Sequence, residues 1–379
     1  MSSPAGPYAW VATCARGLEE IVDSELRALD LEPGPRDPGG VPFGGDFAAG
    51  LRANWRLRAA NRVLLHLAAW PAPTDDLLYQ GARRLVADSR WSDLFHPART
   101  LAVAATSSRS AIRDTRWIAL KVKDGIVDGQ RERHGRRSDV ARSHPNLGLR
   151  LRLHDDRATL LLDTSGEPLD RRGYRLETTA APVREQIAAA ALLACGWNGV
   201  GPVVDFMCGS GTLLAEAGAI ALGLPPNRLR ARWGFESLPF FEAGLWARVV
   251  GAPLAAPDPG VRLFGVDREP QAVAAARRNL EAAGLHAQSR IELGEADAFA
   301  PPEPPGLVAV NPPYGERLGA DGEAWRSLGD LLKRRYAGWR AVVLAGGEGL
   351  GKELGLRPAR RIPFRNGPLD ARILVLELW

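Results

Sequence analysis

The sequence predicts an α/β chain: a doubly wound parallel sheet preceded by a mixed α+β module. Three observations carry this. From Pro182 onward, helix-like and strand-like stretches alternate, the order of a parallel sheet with helices on both faces. Before Pro182 they mix without that regularity. Finally, the apolar run Gly306-Leu-Val-Ala-Val310 stops at Asn311-Pro312-Pro313-Tyr314, as a buried strand must, because proline donates nothing to a sheet ladder.

In the first module, residues 8–13 read as a strand and 18–29 as an amphipathic helix with Leu18, Ile21, Val22, Leu26 and Leu29 on one face. A Pro- and Gly-rich loop follows, with a short strand near 41–43. Residues 48–69 are expected to be helical, continuous or interrupted, with Arg52, Arg56, Arg58 and Arg62 outward. Residues 75–95 are mostly helical over a core of Leu77, Leu78, Leu85 and Val86. A strand at 100–106 precedes a helix capped by Asp114, with Ile118, Val122, Ile126 and Val127 inward. Residues 147–154 and 158–163 form a hairpin about Asp155-Asp156. Composition divides the chain at 1–165 for this module, 166–181 for a linker and 182–379 for the sheet domain. In the sheet domain, helices at 183–195, 212–222, 240–250, 270–283 and 323–336 interleave with strands at 203–205, 263–267, 291–293, 306–310 and 341–345. Residues 360–363 and 372–378 close the sheet.

At 379 residues, 45% hydrophobic and 25% charged, the chain suits a soluble protein of two or three domains. No apolar run spans a bilayer and no signal peptide is read, so a cytoplasmic protein is expected. Three widely spaced cysteines give neither a disulfide framework nor a zinc pattern, and no metal is called for. Residues 1–175 hold 27 Lys and Arg against 22 Asp and Glu, and the remainder balances at 22 of each, so the net +5 lies in the first half. Arg109, Arg113, Lys121, Lys123, Arg136 and Arg137 fall in its most basic segment. Such a surplus attracts a polyanion; it is also what a solvated helix of an Arg-rich chain carries.

Val203-Val-Asp-Phe-Met-Cys-Gly-Ser-Gly-Thr212 is a strand-to-helix turn in which Gly209 and Gly211 permit close backbone approach to a ligand. It is not the dinucleotide fingerprint, which disfavours a nicotinamide dehydrogenase. Asp205, Asp267 and Asp297 follow three successive strands. That set suits S-adenosylmethionine: Asp205 toward its ammonium, Asp267 toward the ribose hydroxyls, Asp297 toward the adenine amino group. At the next strand end, the Asn311 amide oxygen and the Pro312 carbonyl can both accept from a planar NH2 group, and Tyr314 can stack on its ring. The motif leaves open whether that amine belongs to adenine, cytosine, guanine or a protein glutamine.

The stretches 205–212 and 311–318 together resemble the THUMP-domain class I RNA methyltransferases, within them the guanine-N2 methyltransferases of 23S rRNA. Supporting stretches run the length of the chain: Ala15-Arg16-Gly17-Leu18-Glu19-Glu20, Lys121-Val122-Lys123-Asp124, Arg172-Gly173-Tyr174-Arg175, Arg232-Trp233-Gly234-Phe235 and Asn366-Gly367-Pro368-Leu369-Asp370. The resemblance implies a Rossmann-like class I methyltransferase domain after a ferredoxin-like and THUMP RNA-binding module, an S-adenosylmethionine cofactor, and N2-methylation of one guanosine in 23S rRNA. It places the cofactor on Asp205, Met207, Cys208, Gly209, Ser210, Gly211, Thr212, Asp267, Arg268, Asp297 and Asn311. It places the target base at Asn311, Pro312, Pro313 and Tyr314. A monomer is expected. Phe206 departs from the family's usual proline, and some members fuse a second methyltransferase domain whereas this chain ends at Trp379, so one methylation is expected. The rival readings are tRNA as substrate and a non-catalytic RNA-binding or ribosome-assembly protein; a binding module needs none of Asp205, Asp267, Asp297 or Asn311.

Overall fold

A computed structural model describes residues 8–141, 143–179, 182–252, 260–312, 322–347, 350–367 and 369–379. The first module comprises β1 (Tyr8–Thr13), α1 (Glu19–Ala28), β2 (Gly40–Gly45), α2 (Phe47–Arg56), β3 (Arg62–Pro71), α3 (Asp75–Ala87), β4 (Leu101–Ser108), α4 (Thr115–His134), β5 (Leu147–His154) and β6 (Arg157–Asp163). Its six strands form one sheet in the order β2-β1-β3-β6-β5-β4, antiparallel except for the β4–β5 pair.

The expected helix over 48–69 is corrected. Asp46 caps α2 by accepting from the Ala49 amide at 2.8 Å, but the chain turns extended at Leu57 and resumes as β3. Val63-Leu-Leu-His-Leu67 is an apolar run whose type periodicity cannot decide. Pairing with β1 on one side and β6 on the other makes it a central strand. Leu77, expected in the core, is 39% exposed, while Leu78, Leu85 and Val86 are buried.

The second domain comprises α5 (Glu185–Ala194), β7 (Pro202–Asp205), α6 (Thr212–Ala221), α7 (Ala243–Val250), β8 (Arg262–Asp267), α8 (Pro270–Ala282), β9 (Ser289–Leu293), β10 (Leu307–Val310), α9 (Gly322–Arg335), β11 (Arg340–Gly346), a one-turn α10 (Leu350–Glu353), β12 (Arg360–Asn366) and β13 (Leu369–Glu377). The sheet order is β12-β13-β11-β10-β7-β8-β9. β13 runs antiparallel to β11 and β12, and the other pairs are parallel. Alternate residues serve opposite faces: Val203 and Leu307 join the core with α5, α6 and α8, and Val204 and Val308 that with α9. No helix among the described residues is long and apolar enough to cross a membrane.

The two parts share a core. The segment between α6 and β8 reaches across to the first module: Phe240 meets Phe47 edge-on at 5.0 Å and stacks near Tyr8, and Trp246 meets Trp55 at 5.5 Å. At the far end, the Arg365 amide donates to the Arg16 carbonyl at 2.9 Å and Arg360 pairs with Glu20 at 2.7 Å. The Ala15–Glu20 stretch thus faces the other domain.

Candidate active site

The strand order reverses at β7: β8 and β9 lie to one side and β10 to the other. Ligands of open α/β sheets bind at such a switch point, beyond the carboxyl ends of the strands. Parallel pairing of β7 with β10 puts the end of β10, with Asn311, beside the turn that follows β7.

That turn is held by its neighbours. The Cys208 amide donates to the Val266 carbonyl at 3.1 Å, and the Gly209 amide to Asp267 Oδ2 at 2.9 Å. Gly209 and Gly211 adopt φ of +52° and +79°, the left-handed region that glycine enters without a Cβ clash. Asp267 Oδ1 accepts from the Glu269 amide at 3.0 Å. A carboxylate offers about four acceptor sites, so the two not used remain for a ligand. Asp205 is 1% exposed, and Oδ1 takes the Met207 amide at 3.1 Å. Burial, reinforced by the nearby Asp267 charge, pushes its carboxyl up to about 8 against the pull of the Met207 amide. Burial likewise pushes the Cys208 thiol well above its ordinary value. Phe206, in place of the proline, is buried beneath the sheet against Tyr336 at 5.6 Å.

Two residues outside the expected set brace the turn. Asn279, 1% exposed on α8, donates to the Ser210 and Glu177 carbonyls, each at 2.9 Å, and accepts from the Leu176 and Glu177 amides. Arg175 donates to Ser210 Oγ at 3.2 Å, Glu185 at 2.8 Å and the Val183 carbonyl at 2.8 Å. Asn279 was visible in principle as a polar residue on the stripe Ala272, Val273, Ala275, Ala276, Leu280, where a helix ordinarily keeps apolar side chains.

Upstream, the linker is structural as well. Arg172, 1% exposed, donates to Glu216 (3.4 Å), Asn227 (3.2 Å), the Leu169 carbonyl (2.8 Å) and the Arg58 carbonyl. The Tyr174 hydroxyl donates to the same Glu216 oxygen at 3.0 Å. Arg58 crosses from the first module to the Leu224 carbonyl at 2.7 Å, and burial lowers it to about 10. Glu216 lies on α6, the helix that begins at the glycine turn.

Asn311 Oδ1 is buried with no hydrogen-bond partner among the described residues, and Pro312 beside it is buried. Pro313 and Tyr314 lie outside the described residues. Asp297 occupies a short 3-10 turn after β9; its side chain is 3.8 Å from Arg334 and 74% exposed, and its carbonyl accepts from Arg335. Arg268 is exposed beside Glu269. Asp205, Met207–Thr212, Asp267 and Asn311 therefore gather at the carboxyl ends of three adjacent strands, whereas Asp297 bonds to none of them. Of the basic residues, Arg109 pairs with Asp155 at 2.6 Å, Lys123 with Asp124 at 2.8 Å, and Lys121 lies over the Trp117 ring at 4.7 Å. Arg113, Arg136 and Arg137 are exposed.

A family model described as the RMKL-like methyltransferase domain matches residues 172–374, more than half of the chain. The chain belongs to the RMKL-like methyltransferase family. Within this RMKL-like chain, residues 9–64 match an RlmL ferredoxin-like domain and 75–163 a THUMP domain. A ribosomal RNA large subunit methyltransferase K/L from Stutzerimonas stutzeri is 37% identical over 97% of the chain and 52% of its own length. The chain thus spans about half the length of the curated relatives it matches. A putative methyltransferase solved as a complex with SAH, SMU.472, superimposes with a TM-score of 0.87 at 27% identity, covering 99% of each chain. A Listeria monocytogenes protein described as a predicted N6-adenine-specific DNA methylase gives 0.85 at 29% identity, covering 99% of this chain and 97% of the other.

Proposed function

We propose that the chain transfers a methyl group from S-adenosylmethionine to the exocyclic N2 amine of a guanosine in 23S rRNA. The observation that carries the reading is the buried Asn311 Oδ1, without a hydrogen-bond partner among the described residues, at the tip of β10 beside the glycine turn. A buried acceptor without a donor costs about 1–3 kcal/mol, and an incoming amine would supply the donor. The residues present fit the cofactor. Asp205 is the buried carboxyl for an ammonium, Asp267 keeps acceptor sites for two hydroxyls, and Gly209 and Gly211 leave room over the backbone. S-adenosylmethionine, when bound, supplies an electrophilic methyl carbon. Asn311 and the Pro312 carbonyl hold the amine by its two hydrogens, which fixes the nitrogen lone pair for attack and lets the proton leave to water as that nitrogen becomes acidic. No strong base is needed, and the rate gain comes from orientation. Pro313 and Tyr314 complete the base pocket in this reading, Met207, Cys208, Thr212, Arg268 and Asp297 the cofactor cradle. In this reading Arg109, Arg113, Lys121, Lys123, Arg136 and Arg137 contribute positive charge toward RNA from the first module. The THUMP match and the named relatives favour rRNA over DNA.

Mass spectrometry of 23S rRNA nucleosides with and without the gene tests the reading: N2-methylguanosine should fall by one residue per molecule. An unchanged nucleoside profile, or a deficit in tRNA alone, refutes it.

The buried Asp205 gives a pH prediction. With its carboxyl up at about 8, the free protein holds a proton there at pH 7, and an ammonium ligand favours the ionised form. Binding of S-adenosylhomocysteine at pH 7 should release about one proton, and affinity should rise from pH 6 to 8 and level off above. Calorimetry in buffers of different ionisation enthalpy reads the release, which Asp205→Asn should abolish. No release from the wild type would remove this role from Asp205.

A further inference from the structure

Arg232 belongs to a stretch whose other side chains the fold uses. Trp233 stacks on Phe235 at 5.3 Å, both buried. Gly234 passes so close to the first module that a Cβ there would lie 2.7 Å from the Asp163 carbonyl and the Gly166 amide nitrogen. Arg232 is exposed and makes no hydrogen bond or ion pair among the described residues. It stands at a cleft of about 750 Å³ between the first module and the second. One wall is the sheet of the first module, at residues 102–104 of β4, 148–150 of β5 and Asp163; the other is the linker at 166–171 with the Arg232 stretch.

The charges in the cleft are mixed. Arg62 and Arg150 share the one carboxylate of Asp163, Arg171 pairs with Glu167 at 2.9 Å, and Glu236 accepts from the Trp233 amide at 2.9 Å. With Arg232, four guanidinium groups face three carboxylates. A duplex backbone calls for a uniformly basic face. An unpaired nucleotide calls for this mixture: guanidinium for phosphate, guanidinium planes for the base, and carboxylates for the base edge. The chain that lines the cleft also reaches the glycine turn. The linker wall at 166–171 continues to Arg175 and Glu177, which are tied to Ser210 and Asn279. The ten residue steps from Glu167 to Glu177 span at most about 35 Å.

We propose that this cleft binds an unpaired segment of the substrate RNA outside the target nucleotide, with Arg232 on its phosphate and the β4–β5 face of the cleft against its bases. The proposal rests on the RNA methyltransferase reading above and adds a site outside the basic segment 109–142. It is tested on the full chain with fluorescein-labelled 23S rRNA transcript by anisotropy across a salt series. Arg232→Glu should weaken binding about tenfold and lower the salt slope by about one unit, whereas Arg232→Lys should restore most of the affinity. Single-stranded decamers of random sequence should displace the transcript from the wild type at lower concentration than duplexes of that length. Binding of Arg232→Glu within about twofold of wild type, or equal competition by duplex, would overturn the site. S-adenosylhomocysteine affinity, measured in parallel, separates the two levels. Its absence from the wild type defeats the methyltransferase reading, whereas its presence with unaltered RNA binding by Arg232→Glu defeats the cleft alone.

Discussion

Asn311→Ala should lower the methylation rate about 10²–10³-fold while S-adenosylhomocysteine affinity stays within about twofold, because an oriented hydrogen bond to the reacting group is lost and little else. A second readout separates this from a structural role. Asn311 Oδ1 is buried without a partner among the described residues, so its removal relieves a desolvation cost of about 1–3 kcal/mol that offsets the lost packing. The unliganded variant should therefore melt no lower than the wild type. A variant that turns over normally, or that loses activity only in proportion to lost folded protein, removes Asn311 from the reacting amine.

The other large effect is expected far from that oxygen. Arg172→Met should destabilise the protein by about 3–5 kcal/mol, because it leaves the Glu216 charge buried without its cation. Arg172 and Glu216 are at most 1% exposed, and the two are 3.4 Å apart. Arg58 Nη1 and Glu216 Oε2 lack hydrogen-bond partners among the described residues, so the cluster already carries unsatisfied polar atoms before Arg172 is removed. Arg172→Met with Glu216→Gln should recover part of the loss, since the stranded charge is then gone. Urea unfolding reads both variants, and equal midpoints for the single and the double variant would show that the ion pair is not what matters. Because Glu216 lies on α6 just beyond the glycine turn, S-adenosylhomocysteine binding should weaken with the single variant and return with the double.

The sheet domain was legible because its signals are local. Alternation marks the strands, prolines end β10, and glycines with an acid before them mark the turn after β7. The first module was harder at one point. Residues 62–71 are apolar enough for helix or strand, and only pairing with β1 and β6, distant in sequence, decides between them. The same limit hid Asn279: its hydrogen bonds go to residues 69 to 103 positions away, and no local pattern encodes such partners. Leu77 fits the helix stripe by spacing yet lies at its solvent margin. The basic segment 109–142 was conspicuous by count, but several of its charges are neutralised by nearby acids. A lone Arg232 carries no count at all.

The aromatic seam that joins Phe240 and Trp246 to Tyr8, Phe47 and Trp55 has a bearing on how one nucleotide is chosen. It makes the molecule a caliper rather than a hinge: the jaws that would grip RNA and the point that would mark it keep one separation. On the RNA reading, moving the gripped sequence along a transcript should carry the methyl mark with it by the same number of nucleotides.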